Sequence, residues 1–337
     1  MSGNPSKNPD CLIIGAGLAG LTAARYLGSA GRSVLLVDKA RSVGGRLATR
    51  RIGNALLDHG AQFFTVRDEA FAAEVETWIT DGIVDIWCHG FATDDGYPRY
   101  RAPKGMNSIA KYLAERLQSD LLRPPITVTR TQANAVIAGP EQWAVTYEAA
   151  QREPDESAAV ITTAPIPQSL DLLKAGATST ALRSKLEAVK FNQVIAVLAV
   201  LDRSPDLPVP GALQQPDDPT FTFVADNAGK GISEEPAITF HCGHDLSAEL
   251  WKSSDGDVLA RIHDQLRSYL NGAAVKEIQV KRWRYAGPKN PFSGLCAVAA
   301  ESPGPLVFAG DGFANAKVEG AFLSGRAAAN AVLDATW

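Results

Sequence analysis

After a polar opening stretch the chain turns to four consecutive apolar residues, Cys11, Leu12, Ile13 and Ile14, the pattern of a parallel strand buried on both faces. Gly15 ends the run. Residues 18–30 then set Leu18, Leu21, Ala24 and Leu27 at three-residue steps along one helical face, and Gly31 supplies a C-terminal cap. A second apolar run at 34–37 completes a βαβ unit, whose crossover should be right-handed.

Beyond this unit the pattern predicts short strands at 55–57 and 62–65, an amphipathic helix at 69–79, and another at 108–117 capped by Asn107 or Ser108. Strand-like stretches follow at 126–136 and 143–147, with Gly139 and Pro140 as the turn between them, so that a β-meander hangs from the first unit. Residues 158–163 read as a buried strand, with Pro165 and Pro167 marking its exit. The middle of the chain predicts helices at 179–189 and 258–270. Its strands fall at 194–201, 221–224 and 237–241, with one more ending near Trp283. Residues 204–219 contain five prolines and read as an irregular loop. A strand at 306–309 and an alanine-rich helix at 320–333 close the pattern, and no repeat or low-complexity tract interrupts it.

At 337 residues the chain has room for about two domains with real cores. Its 33 basic residues are dispersed among 37 acidic ones, for a net charge of −4, which argues against nucleic acid as a partner. The longest apolar run, at 194–201, is eight residues and too short to span a bilayer. Residues 1–10 are polar and carry Pro5, without the apolar core of a signal peptide, and read as a loose tail. Cys11, Cys88, Cys242 and Cys296 are far apart and form no CxxC pair, so neither a disulfide framework nor a metal cluster is expected, and a cytoplasmic location suits them.

Gly15, Gly17 and Gly20 form GxGxxG directly between a strand and a helix, the context that the dinucleotide fingerprint requires. The first glycine allows the tight turn, the second lets backbone approach a pyrophosphate, and the third lets helix and strand pack closely. A diphosphate would sit at the positive end of the helix dipole. Asp38 closes the second strand, where its carboxylate can accept hydrogen bonds from an adenosine ribose. This cradle alone does not separate NAD from FAD.

Asp38, Lys39 and the following Gly44-Gly45-Arg46 resemble the same segment of FAD-containing amine oxidases and their relatives, in which the arginine brings a cation to the diphosphate. Ala309-Gly310-Asp311 and the run Val318 to Gly325 are similar to that family's C-terminal flavin motif. More specifically, Asp58-His59-Gly60-Ala61-Gln62-Phe63-Phe64-Thr65-Val66-Arg67-Asp68 resembles a stretch of bacterial renalase-like flavoproteins. Pro103-Lys104-Gly105-Met106-Asn107, Thr163-Ala164-Pro165, Ile238-Thr239-Phe240-His241 and Arg282-Trp283-Arg284-Tyr285-Ala286 match further segments in the same order.

The resemblance implies an α/β protein in which a Rossmann-type FAD-binding domain (9–66, 104–168 and 299–335) carries an inserted mixed-sheet α+β substrate domain (67–103 and 169–298). Its active site is expected where the two meet. The implied activity is oxidation of the 2- or 6-dihydro isomers of NAD(P)H, with hydride passing to FAD and electrons to O2 to give H2O2 and NAD(P)+. Asp311 would hold the ribityl–phosphate arm, and the helix carrying Glu319, Gly320 and Ala321 would point its N-terminus at the flavin ring. Gln62 and Phe63 would lie against that ring, Ala19 and Arg46 on the diphosphate side, with Lys39, Gly45 and Ala133 as further cofactor contacts. His241 would hydrogen-bond the substrate carboxamide and Trp283 would form a wall or stacking surface.

Phe63 stands where several of these proteins carry Tyr, so no hydroxyl role transfers, and nothing is carried over from residues 223–231. Cys296 lies fourteen residues before Gly310, closer than the attachment cysteine of monoamine oxidases, so non-covalent FAD is expected. Arg50 and Arg51, or Arg99, Arg101 and Lys104, could meet substrate phosphates, although such runs are usually solvated. His241 and His244 flank Cys242 without a fourth metal ligand. The other readings are an amine oxidase or desaturase-type enzyme, and a non-catalytic flavin-binding redox sensor.

Overall fold

The computed structural model describes residues 8–91, 93–119, 126–148, 152–174, 177–313 and 315–335; residues 1–7 of the expected tail lie outside the described residues. The chain divides into two compact units: Met1–Gly45, Ala110–Lys190 and Pro288–Trp337 form unit one, and Arg46–Ile109 with Phe191–Gly287 form unit two. Residues 46–66 therefore belong to unit two.

Unit one is built on β1 (Cys11–Ile14) and β2 (Val34–Asp38), joined through α1 (Leu18–Ser29). The six-stranded sheet runs Ala297–Ala300, Leu306–Phe308, Ala159–Thr162, β1, β2, Thr127–Arg130. Every pairing is parallel except that of Ala297–Ala300 with Leu306–Phe308. All four β1 residues are buried, as the uninterrupted apolar run requires. The Gly31 N–H bonds Gly28 O at 3.0 Å and the Arg32 N–H bonds Leu27 O at 3.0 Å, closing α1 through a left-handed Gly31 (φ +80°).

α1 is more fully buried than a one-faced helix, with Thr22, Ala23 and Gly28 enclosed alongside Leu18, Leu21, Ala24 and Leu27. The cause is the C-terminal helix Val318–Leu333, which packs along α1. The two backbones meet at Gly325, where a Cβ would stand 2.2 Å from Ala19 O.

Several expected elements take a different form. The stretch 126–136 divides: Thr127–Arg130 joins the parallel sheet beside β2, while Ala133–Ala138 pairs antiparallel with Trp143–Tyr147 in a separate three-stranded sheet. The Thr131 N–H bonds Asp38 O at 2.8 Å and marks the division. Pro165 and Pro167 introduce the helix Ile166–Leu172, because proline needs no partner in a first helical turn.

Unit two centres on a five-stranded sheet in the order Ala212–Gln214, Phe221–Asp226, Ala237–Cys242, Phe191–Leu201, Val275–Pro288. The helix Asp255–Ser268, capped by Ser254, buries Val258, Ile262 and Leu266 against it. The last strand continues beyond Trp283 to Pro288. The proline-rich segment also contributes the short strand Ala212–Gln214. β3 (Thr49–Ile52) and β4 (Ala55–Asp58) form a hairpin, and residues 62–65, expected as a strand, make only one bridge, Phe64 with Tyr100.

Gly325→Ala should destabilise the protein by about 1–3 kcal/mol through overpacking, against the usual gain from alanine in a helix. Chemical denaturation of the variant beside wild type measures the sign.

Candidate flavin and substrate sites

In unit one the glycine turn is shaped by contact. Gly15 has φ +109°, and at Gly20 a Cβ would stand 1.9 Å from Gly15 O. Gly17 differs: its φ is −75° and a Cβ there would meet nothing within 4 Å. Backbone alone therefore borders open space at the N-terminus of α1, where no side chain caps the helix. Gly44 closes against this turn, its N–H bonding Ala16 O at 2.8 Å, and Gly45 (φ +53°) approaches Gly17 Cα. The double glycine and GxGxxG thus form one cradle suited to a diphosphate.

Asp38 accepts from Ala16 N at 2.6 Å and from Ala40 N at 2.7 Å, so its carboxylate is fixed at the cradle's edge. Each oxygen keeps capacity for another donor, which fits a ribose hydroxyl. Ala19 is buried and Lys39 exposed, while Ala133 starts the strand that follows Thr131, partner of Asp38 O. Gly310 (φ +124°) donates to Ser324 Oγ at 2.8 Å, placing Asp311 after its strand. Glu319 is buried in the first turn of the C-terminal helix, Gly320 abuts Asn315 O, and the Ala321 N–H bonds Lys317 O at 3.0 Å. The residues present fit a dinucleotide cofactor.

Unit two carries a buried polar cluster. Lys230 and Asp58 are both fully enclosed and form an ion pair at 2.7 Å. Lys230 Nζ also donates to Gln62 O at 2.5 Å and lies 5.1 Å from the Trp87 ring centroid. Asp58 Oδ1 accepts from Thr49 Oγ1 at 2.6 Å and from Met106 N at 2.9 Å. Its carbonyl accepts from Gln62 Nε2 at 2.6 Å and from Thr239 Oγ1 at 3.0 Å, while its N–H bonds Asn227 Oδ1. Burial pushes the Lys230 ammonium below its ordinary value, and Asp58 opposes that shift.

This frame holds Gln62 beside His241, with Gln62 Nε2 3.4 Å from His241 Nε2. Gln62 Oε1 is buried without a hydrogen-bond partner. The Trp283 indole N–H donates to His59 O at 2.7 Å, and its ring stacks on the His59 imidazole at 5.2 Å. That carbonyl also attracts the His241 ring. Gln62, His241 and Trp283, separate in sequence, are thus drawn together through Asp58 and His59. Burial, then neighbouring charge, lowers both imidazoles to about 4. At neutral pH they are uncharged.

Phe63 lies in an aromatic group with Phe91 at 4.9 Å and Phe223 at 5.9 Å, and Phe223 is 6.3 Å from His241. Arg46 belongs to unit two, where its Nη1 donates to Tyr285 O at 3.1 Å. Arg99 and Arg101 are paired with Asp95 and Asp85. Burial raises the Cys296 thiol above its ordinary value. Among the described residues no group of His, Cys, Asp or Glu could hold a metal ion, and no helix is long and apolar enough to cross a membrane.

Sequence reasoning left Lys230, His59, Phe91 and Phe223 without roles and did not single out Asp58. Asp58 carried a readable signal, an ionisable residue completing the apolar strand Ala55–Asp58. Lys230 carried none.

Gly17→Ala should cost under about 1 kcal/mol in the apoprotein, because the fold leaves room for its methyl, yet lower flavin retention several-fold. Absorbance of purified variant and reconstituted protein checks both parts. Lys230→Met should cost about 3–5 kcal/mol by stranding a buried carboxylate, with partial recovery in Lys230→Met/Asp58→Leu; urea titrations of the three proteins decide it. For His59 and His241 the unfolded chain binds protons more readily than the folded one. Their contribution is therefore complete above pH 6.5 and declines as pH falls toward about 4. A thermal-denaturation series should show that decline, and it should be shallower in His241→Asn.

The family model for an NAD(P)-binding Rossmann-like domain matches residues 13–74, and that for a flavin containing amine oxidoreductase matches residues 84–333. A 72-residue segment is 40% identical to hydroxyneurosporene desaturase of Rubrivivax gelatinosus, covering 20% of this chain and 14% of that one. A 56-residue segment is 41% identical to putrescine oxidase of Kocuria rosea, covering 17% and 12%. The chain thus spans well under a fifth of the length of these curated relatives. A solved structure from Exiguobacterium sp. 255-15, provisionally named a protoporphyrinogen oxidase, shares the fold with a TM-score of 0.71 at 13% identity, over 96% of this chain and 98% of its own. The family match extends over most of the chain and the glycine cradle fits a dinucleotide, so the protein belongs to the flavin containing amine oxidoreductases, with FAD as its cofactor.

Proposed function

We propose that this flavin-dependent oxidoreductase oxidises dihydro-NAD(P) isomers, the 2- or 6-dihydro forms, and passes the electrons to O2, giving H2O2 and NAD(P)+. The observation that carries the reading is the uncharged Gln62–His241 pair. Gln62 Oε1 is a buried acceptor without a partner, and the neighbouring imidazole is neutral at the pH of catalysis. A primary carboxamide carries an N–H2 that answers this acceptor. FAD supplies the two-electron acceptance.

The remaining demand on the chain's own residues is positioning. A dihydropyridine that loses hydride becomes an aromatic pyridinium, so no side-chain base has to drive the step. Asp58 is fully engaged by Lys230, Thr49 and Met106, and so offers no carboxylate to an ammonium substrate. Phe63, Phe91 and Phe223 add an apolar wall. That wall favours a second reading, oxidation of an amine in its neutral form, since aromatic surroundings disfavour the ammonium. Cytoplasmic residence and non-covalent FAD belong to the same proposal.

Stopped-flow mixing of the oxidised holoenzyme with 6-dihydro-NAD and, separately, with primary amines distinguishes the readings. Rapid bleaching of the flavin band by the dihydropyridine is expected. Rapid bleaching by amines alone would overturn the dinucleotide reading. Bleaching by neither, with FAD retained, would point to the non-catalytic sensor.

A further inference from the structure

Among the charged groups of unit two, Arg50 and Lys281 both bear on His59. Arg99, Arg101 and Arg282 are each matched to a carboxylate, Asp95, Asp85 and Asp255. Arg50 and Lys281 have no ion pair among the described residues, and Asp255, which attracts Lys281, is bonded to Arg282. Both cations act on the same neighbour, His59, and Arg50 also repels Lys281.

The geometry explains the convergence. His59 directly follows β4 and its N–H is tied to Ala48 O at 3.1 Å, at the open end of the hairpin whose other strand carries Arg50. Trp283 stacks on the imidazole at 5.2 Å, and Lys281, two residues earlier on the same strand, projects from the same face as Trp283. His59 Nδ1 is buried and has no hydrogen-bond partner. A buried ring nitrogen without a partner is an unmet hydrogen bond, and the exposed Arg50 and half-buried Lys281 add positive charge beside it. One anion with several oxygens answers both. A metal ion would be repelled by the same pair of cations.

We propose that Arg50, Lys281 and Nδ1 of His59 form an anion subsite that takes a phosphoryl group of the substrate's diphosphate. The phosphoryl assignment rests on the dinucleotide reading above. Arg50 supplies a planar fork, Lys281 a compact charge, and the neutral imidazole an N–H in its Nδ1–H tautomer. With Gln62 and His241 on the carboxamide, the subsite would grip the substrate at a second point and fix its orientation.

Two measurements on the holoenzyme test this. In the first, inorganic pyrophosphate is titrated calorimetrically into wild type and into Arg50→Gln/Lys281→Met, with thermal denaturation confirming that the variant is folded. Saturable binding at millimolar concentrations, weakened about tenfold or more in the variant, is expected. No binding to wild type, or equal binding to both, would overturn the subsite. In the second, kcat/KM is compared for a dihydronicotinamide dinucleotide and for the corresponding riboside, which lacks phosphate. The advantage of the dinucleotide should shrink about tenfold in Lys281→Gln, and an undiminished advantage would overturn the phosphoryl assignment. If neither compound is oxidised, the proposed function fails, while the pyrophosphate titration still decides the subsite.

Discussion

A lysine and an aspartate, both wholly removed from water, hold the candidate site of unit two in place. Desolvation makes a buried ion pair a weak source of stability, so the Asp58–Lys230 pair has to be understood through what it organises. Asp58 bonds the β3 residue Thr49, the Met106 amide, Asn227, Thr239 and the Gln62 side chain, and Lys230 bonds the Gln62 carbonyl. Gln62 is thereby held from both its main chain and its amide. An apolar pair of similar volume could fill the space but could not aim that amide. Residues 62–65 form no strand, so this frame does the work that a sheet ladder would otherwise do.

Unit one meets the same need for fixed geometry by removing side chains. At Gly20 and Gly325 a single methyl would strike a backbone carbonyl, so helix, strand and second helix can approach only as glycines. Gly17 stands in the same motif for another reason, since the protein itself leaves room for a methyl there. Two kinds of glycine therefore share one fingerprint: one kind is required by the fold, while the other leaves open space beside the helix N-terminus. The space beside Gly17 is compatible with the FAD of the family.

Local signals made unit one readable in advance. A buried strand, a helix face at three-residue steps, a capping glycine and GxGxxG are all written within about forty consecutive residues, and β1, α1 and β2 follow that text closely. The errors arose where tertiary partners decide. Residues 126–136 look like one strand but belong to two sheets, because Thr131 is claimed by Asp38 O. In unit two, the family resemblance groups Gln62, Phe63, His241 and Trp283 at one expected site, but the contacts that hold them were not legible. Asp58, His59 and Lys230 bring them together across separations of up to 224 residues, which no periodicity encodes.

The two charged groups of unit two also differ in how they treat charge, and the difference gives the site a direction. Around Asp58 every charge is matched inside the protein, leaving neutral amide and imidazole groups beside an aromatic wall. Around His59 the cations are left unmatched. Neutral hydrogen-bonding groups select by shape and donor pattern, whereas unmatched cations attract at longer range and are sensitive to salt. On the proposed reading, a ligand with an uncharged amide-bearing ring at one end and an anionic tail at the other would satisfy both groups. A simple alkylamine has no anion for Arg50 and Lys281, and its N–H can meet only the Gln62 acceptor at the other end.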